Sequence, residues 1–170
     1  MNQPKIITYQ LHLDDFRFLG NTNVVDQNSD FAAIWTNFFQ MGGYAPILPY
    51  AVDEKPINIW FHDQQGRDVY FQGLFVTNGA QAPEGYTLMD FPGGDFLAVT
   101  TEWMESNEEA VGQAGNGRCN EYADTVNPPA GYVRADGPES LIFRIEKENA
   151  GTPQGSRYEV WIPIKKAENT

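Results

Sequence analysis

Hydrophobic positions alternate through most of this chain, and only two stretches recur at helical spacing. From Lys5 to Leu13 the run places Ile7, Tyr9, Leu11 and Leu13 on one face of a strand. Asp14-Asp15 supplies a turn, and residues 16–21 read as an antiparallel return in which Gly20 marks a bulge or a close backbone approach. Ser29 or Asp30 then offers a side-chain oxygen to the first turn of a helix running through Gln40, with Phe31, Ile34, Trp35, Phe38 and Phe39 as its apolar stripe and Gly42-Gly43 as its stop. After a proline-rich segment, Ile57, Ile59 and Phe61 alternate toward the polar turn Asp63-Gln64-Gln65-Gly66. Residues 69–77 return as the second arm of a hairpin, with Tyr70, Gln72, Leu74 and Val76 on one face and Phe71, Gly73 and Phe75 on the other.

The second half of the chain follows the same order. Residues 86–91, Pro92-Gly93-Gly94 and residues 95–102 read as a hairpin, and Asp95-Phe96 with its flanking residues resembles Asp15-Phe16 with its own. Residues 106–125 read as helix near both ends with a loop around Gly115–Gly117, because each interior glycine weakens a helix by about 1 kcal/mol relative to alanine. Ser106 and Glu109 have the spacing of a capping box. A last hairpin joins residues 141–147 to residues 157–165 across a Gly/Pro-rich loop. The expected architecture is α+β: a single domain built by internal duplication, with half-domains at about 1–79 and 80–170. The short Ala80–Gly85 segment connects them, and a cleft can form where they meet.

Composition narrows the chemistry. With a net charge of −12, most of the surface would repel nucleic acid. A single cysteine, Cys119, allows no internal disulfide, and its polar neighbours read as a loop. Two histidines, His12 and His62, give no basis for a histidine-built metal centre, so neither metal nor cofactor is expected. The N-terminus has no secretory pattern and no apolar run is long enough to span a bilayer, so a cytoplasmic protein without membrane contact is expected.

Four stretches resemble, in order, the GyrI-like effector-binding family, a drug-sensing domain of bacterial transcription activators that also occurs free-standing. They are Ile34-Trp35 with Phe38; Tyr70-Phe71-Gln72-Gly73; Pro83-Glu84-Gly85 leading to Phe91-Pro92-Gly93-Gly94-Asp95-Phe96; and Tyr158-Glu159-Val160-Trp161-Ile162-Pro163-Ile164. The resemblance implies two pseudo-symmetric half-domains whose helices pack on a curved antiparallel sheet, and an aromatic pocket with an acidic residue that selects cationic or polarised aromatic ligands. By that resemblance Tyr70, Glu159 and Trp161 fall on pocket positions. Where the family carries a Glu followed two residues later by Tyr on the penultimate strand, this chain has Leu141-Ile142-Phe143-Arg144-Ile145, flanked by Glu139 and Glu146. The central acid is therefore missing or displaced, and an inward Arg144 would instead favour a neutral or anionic ligand.

The expected function is capture of a hydrophobic or aromatic small molecule, in drug sensing or sequestration. Tyr70, Trp103, Phe143 and Trp161 would be the stacking surfaces, Trp35 the support from the helix, and Glu159 or Glu146 the acid. Two other readings stay open. One is a hydrolase of electrophilic toxins that uses a cleft glutamate, and the other is a protein-interaction partner such as a topoisomerase inhibitor. No catalytic residue is assigned. A helix-turn-helix is not accommodated beside two half-domains, so direct DNA contact is not expected.

Overall fold

Alternating strands that are apolar on both faces must be covered on both faces, and this chain does so by curling one sheet and laying helices on one side of it. The computed structural model describes residues 3–168. Among them are nine strands: β1 (Ile6–Leu13), β2 (Phe16–Val25), β3 (Ile57–His62), β4 (Asp68–Val76), β5 (Thr87–Phe91), β6 (Gly94–Thr101), β7 (Tyr132–Arg134), β8 (Ile142–Thr152) and β9 (Gly155–Lys166). Three helices accompany them: α1 (Phe31–Gln40), α2 (Asn107–Val111) and α3 (Arg118–Thr125). All strand pairs are antiparallel, in the order β1-β6-β9-β8-β3-β4-β2-β5, with β7 added beside β9. Exchanging β1 with β5, β2 with β6, β3 with β8 and β4 with β9 reproduces that order from the other end.

The β3–β4 and β8–β9 hairpins form as their alternation predicts. The other two do not. β1 pairs with β6, and β2 with β4 and β5, so the strands on either side of Asp14-Asp15 separate, as do those on either side of Pro92-Gly93. Tight hairpins favour turns with positive φ; Gly66 (φ 77°) and Gly155 (φ 124°) provide it at the two that form, whereas neither crossing link contains a positive-φ residue. The two links instead pack on each other, Gly93 N donating to Asp15 Oδ1 at 2.7 Å.

One sheet face carries the helices. α1 begins at Asp30, whose side chain accepts from Ala33 N, and it lays Phe38 over Leu19, Leu74 and Val76. α3 lays Cys119 and Ala123 over Leu97, Val99, Val160 and Ile162. Cys119 is thus fully buried on a helix rather than in a polar loop, because the apolar side of α3 runs through Cys119 and Ala123. The expected loop around Gly115 is a π-helical turn, Gln113–Gly117, wedged between α2 and α3; a Cβ on Gly115 would lie 2.0 Å from the Ala110 carbonyl oxygen. The opposite face holds a phenylalanine-rich core of Phe18, Phe61, Phe71, Phe91 and Phe96 with Trp161, sealed by the curl of the sheet.

Gly20 and Gly73 face each other across β2 and β4 at a close backbone approach. A Cβ on Gly73 would sit 2.1 Å from the Leu19 carbonyl oxygen, and one on Gly20 1.8 Å from that of Gln72. Gly73→Ala is expected to destabilise the fold by about 2–3 kcal/mol, read as a lower urea midpoint. An unchanged midpoint would show that the strands can part without loss.

Candidate functional site

α1 and α3 stand on opposite halves of the same sheet face, and the central strands β3 and β8 between them are only partly covered. The residues that β3, β4, β8 and β9 present there are polar or aromatic: Asn58, Trp60, Tyr70, Glu146, Glu148 and Tyr158. They floor a cavity of about 360 Å³, whose walls are Phe31 and Trp35 from α1 on one side and Val111 and Asn116 from the α2 and π-turn segment on the other. Phe31 and Trp35 are one turn apart, so both reach the same strand surface. Phe31 meets the Tyr70 ring edge to face at 5.3 Å and Trp60 at 5.7 Å, while Trp60 and Tyr70 lie 4.5 Å apart. Trp35 closes on Tyr70 at 6.3 Å.

Glu146 is the buried charge of this cavity, 6% exposed. Trp60 Nε1 donates to one carboxylate oxygen, and Tyr158 Oη (2.6 Å) and Asn120 Nδ2 (3.2 Å) donate to the other. All three donors are neutral, and no ion pair to Glu146 is present among the described residues. A second acid, Glu148, lines the same cavity and accepts from Asn107 Nδ2 at 2.7 Å. The electrostatic consequence shows in the phenols. Burial, and then the Glu146 carboxylate, push the hydroxyls of Tyr70 and Tyr158 far above their ordinary value.

Arg144 does not enter the cavity. It spans to α3, donating to Asn120 Oδ1 at 2.9 Å and pairing with Asp124 at 2.8 Å. The central strand β8 thus presents the acid Glu146 to the cavity, while Arg144, two residues before it, is paired with α3.

Of the residues singled out from sequence, Trp35, Tyr70 and Glu146 meet in this cavity. Phe143 stands at its margin, stacked on His62 at 4.4 Å and 6.2 Å from Trp60. Glu159, Trp161 and Trp103 belong to a different group. Glu159 accepts from Tyr9 Oη, Trp161 Nε1 (3.0 Å), Asn149 Nδ2 (3.0 Å) and Arg157 Nε (3.1 Å), and Trp103 stacks beneath Arg157 at 4.1 Å. Trp161 borders a larger hollow of about 520 Å³, where it lies parallel to Phe75. Its two cations are paired, Lys147 with Asp53 at 2.8 Å and Arg17 with Asp90 at 2.7 Å, while Asp14 and Asp15 stand at its rim.

Trp60, Tyr158 and Asn58 were missed by the sequence reading. A signal existed: the face of β3 opposite Ile57, Ile59 and Phe61 reads Asn58, Trp60, His62, an unusual polar-aromatic face for a strand at the centre of a sheet.

No protein-family model matches the chain, and no curated protein matches it in sequence. Solved structures do share its fold. One is that of SAV2435 bound to tetraphenylphosphonium (TM-score 0.70, 14% identity, 94% of each chain covered). A second is a candidate bacterial transcription regulation protein from Staphylococcus aureus MU50 (TM-score 0.61, 15% identity, 95% of this chain and 99% of that one). A third is the C-terminal domain of EcmrR (TM-score 0.51, 11% identity, 95% and 99%). The fold is that of the GyrI-like effector-binding domains.

Proposed function

We propose that the chain is a small-molecule binding protein that captures aromatic cations in the cavity between α1 and α3, in drug sensing or sequestration. The observation that carries this reading is Glu146, a buried carboxylate held by neutral donors only, on the floor of an aromatic cavity. An aromatic cation answers both features at once. Its charge is drawn to the carboxylate and to the faces of Trp35, Trp60 and Tyr70, and that attraction strengthens as the ligand displaces water. The cavity volume falls within the usual range of small-molecule sites, about 300–1,000 Å³. That a protein of the same fold was solved holding a lipophilic cation supports the choice of ligand class.

The same reading treats residues 1–79 and 80–170 as equivalent half-domains that each contribute one helical wall and two strands of floor. The strand order, which survives exchange of the halves, supports it.

The direct test is titration with tetraphenylphosphonium. Trp35 and Trp60 both border the cavity, so tryptophan emission is expected to fall on binding. Ligand at 100-fold above Kd is expected to raise the melting temperature by about 5–10 °C. If neither emission nor melting temperature responds to this or other aromatic cations, the binding role is wrong.

A further inference from the structure

Asn58 lies on β3 directly opposite Glu146 on β8, facing the helices, and is 7% exposed. It lines the aromatic cavity, and its Oδ1 has no hydrogen-bond partner. The Tyr158 hydroxyl donates its proton to Glu146 at 2.6 Å, so its oxygen can only accept. That hydroxyl therefore has no proton to give Asn58, whose carbonyl oxygen is left without a donor. A buried carbonyl oxygen in this state is an acceptor in want of an N–H or O–H.

We infer that Asn58 makes this cavity discriminate among cations, favouring those with an N–H on the charged centre, such as protonated aromatic amines and amidines, over onium ions with none. The inference rests on the cation-binding reading above and deepens it. Glu146 and the rings attract any aromatic cation; only one with an N–H can also satisfy the Asn58 oxygen, beside the carboxylate that holds its charge. An onium ion leaves that oxygen unpaired and takes the cavity by charge and stacking alone. The competitor within the protein is Gln72 Nε2. Gln72 is the cross-strand neighbour of Asn58 on β4, and its Nε2 is itself without a partner.

The test uses naphthylmethylammonium and its mono-, di- and trimethylated forms, which share one ring and one charge but carry three, two, one and no N–H groups. Each is titrated into the wild-type protein and into Asn58→Leu, which preserves side-chain size and removes the acceptor. In the wild type the last methylation, which removes the final N–H, is expected to weaken binding on the order of tenfold. In Asn58→Leu that step is expected to shrink to within about twofold. If affinity in the wild type rises steadily to the trimethylated ion, or if the last step is equally large in Asn58→Leu, the inference is overturned. If Asn58→Leu fails to fold, Asn58→Ala takes its place with the same expectation, since only loss of the N–H preference on removing this side chain separates Asn58 from the neighbouring Glu146 carboxylate. Failure of every member to bind the wild type would sink the cation reading together with this one. Binding without N–H preference would sink this one alone.

Discussion

Glu146→Gln is expected to weaken tetraphenylphosphonium binding by about 30- to 100-fold while leaving a neutral aromatic ligand of similar size within about threefold. Two unit charges 4 Å apart attract by about 4 kcal/mol at the effective dielectric of a protein surface site, and partial desolvation of both ions reduces the usable part to about 2–3 kcal/mol. At 1.4 kcal/mol per factor of ten, that is the stated range. The substitution preserves volume but places an amide where Trp60, Tyr158 and Asn120 all donate, so one of these donors loses its acceptor. A stability loss of about 1–2 kcal/mol is therefore expected alongside, and the affinity has to be measured on protein shown by circular dichroism to be folded. Equal affinity of the cation for both forms would remove Glu146 from the site. Equal losses for cation and neutral ligand would mean that the change had deformed the cavity rather than discharged it.

The contrast between Glu146 and Glu159 shows what the sequence could and could not convey. Both are acids on the last hairpin, and both stand out in its alternating pattern. On β9, Tyr158, Val160 and Ile162 face the helices, whereas Glu159 and Trp161 face the other side. The side-chain period of a strand is two, so a single position separates the cavity floor from the opposite core. The resemblance to a family pattern fell on Glu159 and Trp161; the cavity itself is floored by their neighbour Tyr158 and by Glu146 across the ladder. Alternation is enough to say that two residues share a face. Which face meets a helix depends on strand order, and that is a non-local property.

Strand order was the part least accessible from sequence. Alternation in residues 5–13 and 16–21 gives two strands correctly, but nearness in sequence suggested that they pair. They do not, because Asp14-Asp15 adopts no positive-φ turn and each strand finds its partners in the neighbourhood of β6 or of β4 and β5. The hairpins with glycine at positive φ were legible, and so was α1, whose cap and apolar stripe are local signals. Cys119 was misplaced for the same reason in reverse. Its polar neighbours suggested a loop, while a π-helical turn at Gln113–Gly117 carries the chain directly into α3 and turns the thiol inward.

Glu159→Ala is expected to destabilise the protein by about 3–5 kcal/mol, the usual effect of removing one partner from a buried ionic and hydrogen-bonded group. The carboxylate is 1% exposed, and four donors converge on it from β1, β8 and β9: Tyr9, Asn149, Arg157 and Trp161. Removing it strands the Arg157 guanidinium between Trp103 and Tyr9 with its charge unmatched. Burial pushes the Glu159 carboxyl upward, but the hydrogen bonds from Tyr9, Asn149 and Trp161 and the charge of Arg157 together outweigh it and hold the group below the ordinary glutamate range. A carboxyl whose folded value lies below its unfolded value, about 4.3, contributes stability that is present above that pH. The contribution is lost as the pH falls from there through the folded value. Urea midpoints measured downward from pH 5 should therefore drop more steeply in the wild type than in Glu159→Gln, which has no proton to take up at this site. Parallel pH profiles would show that Glu159 is not held in its ionised form. The two glutamates should then separate in experiment: loss of Glu159 chiefly lowers stability while the folded fraction still binds cations, and loss of Glu146 chiefly weakens cation binding in a protein that remains folded.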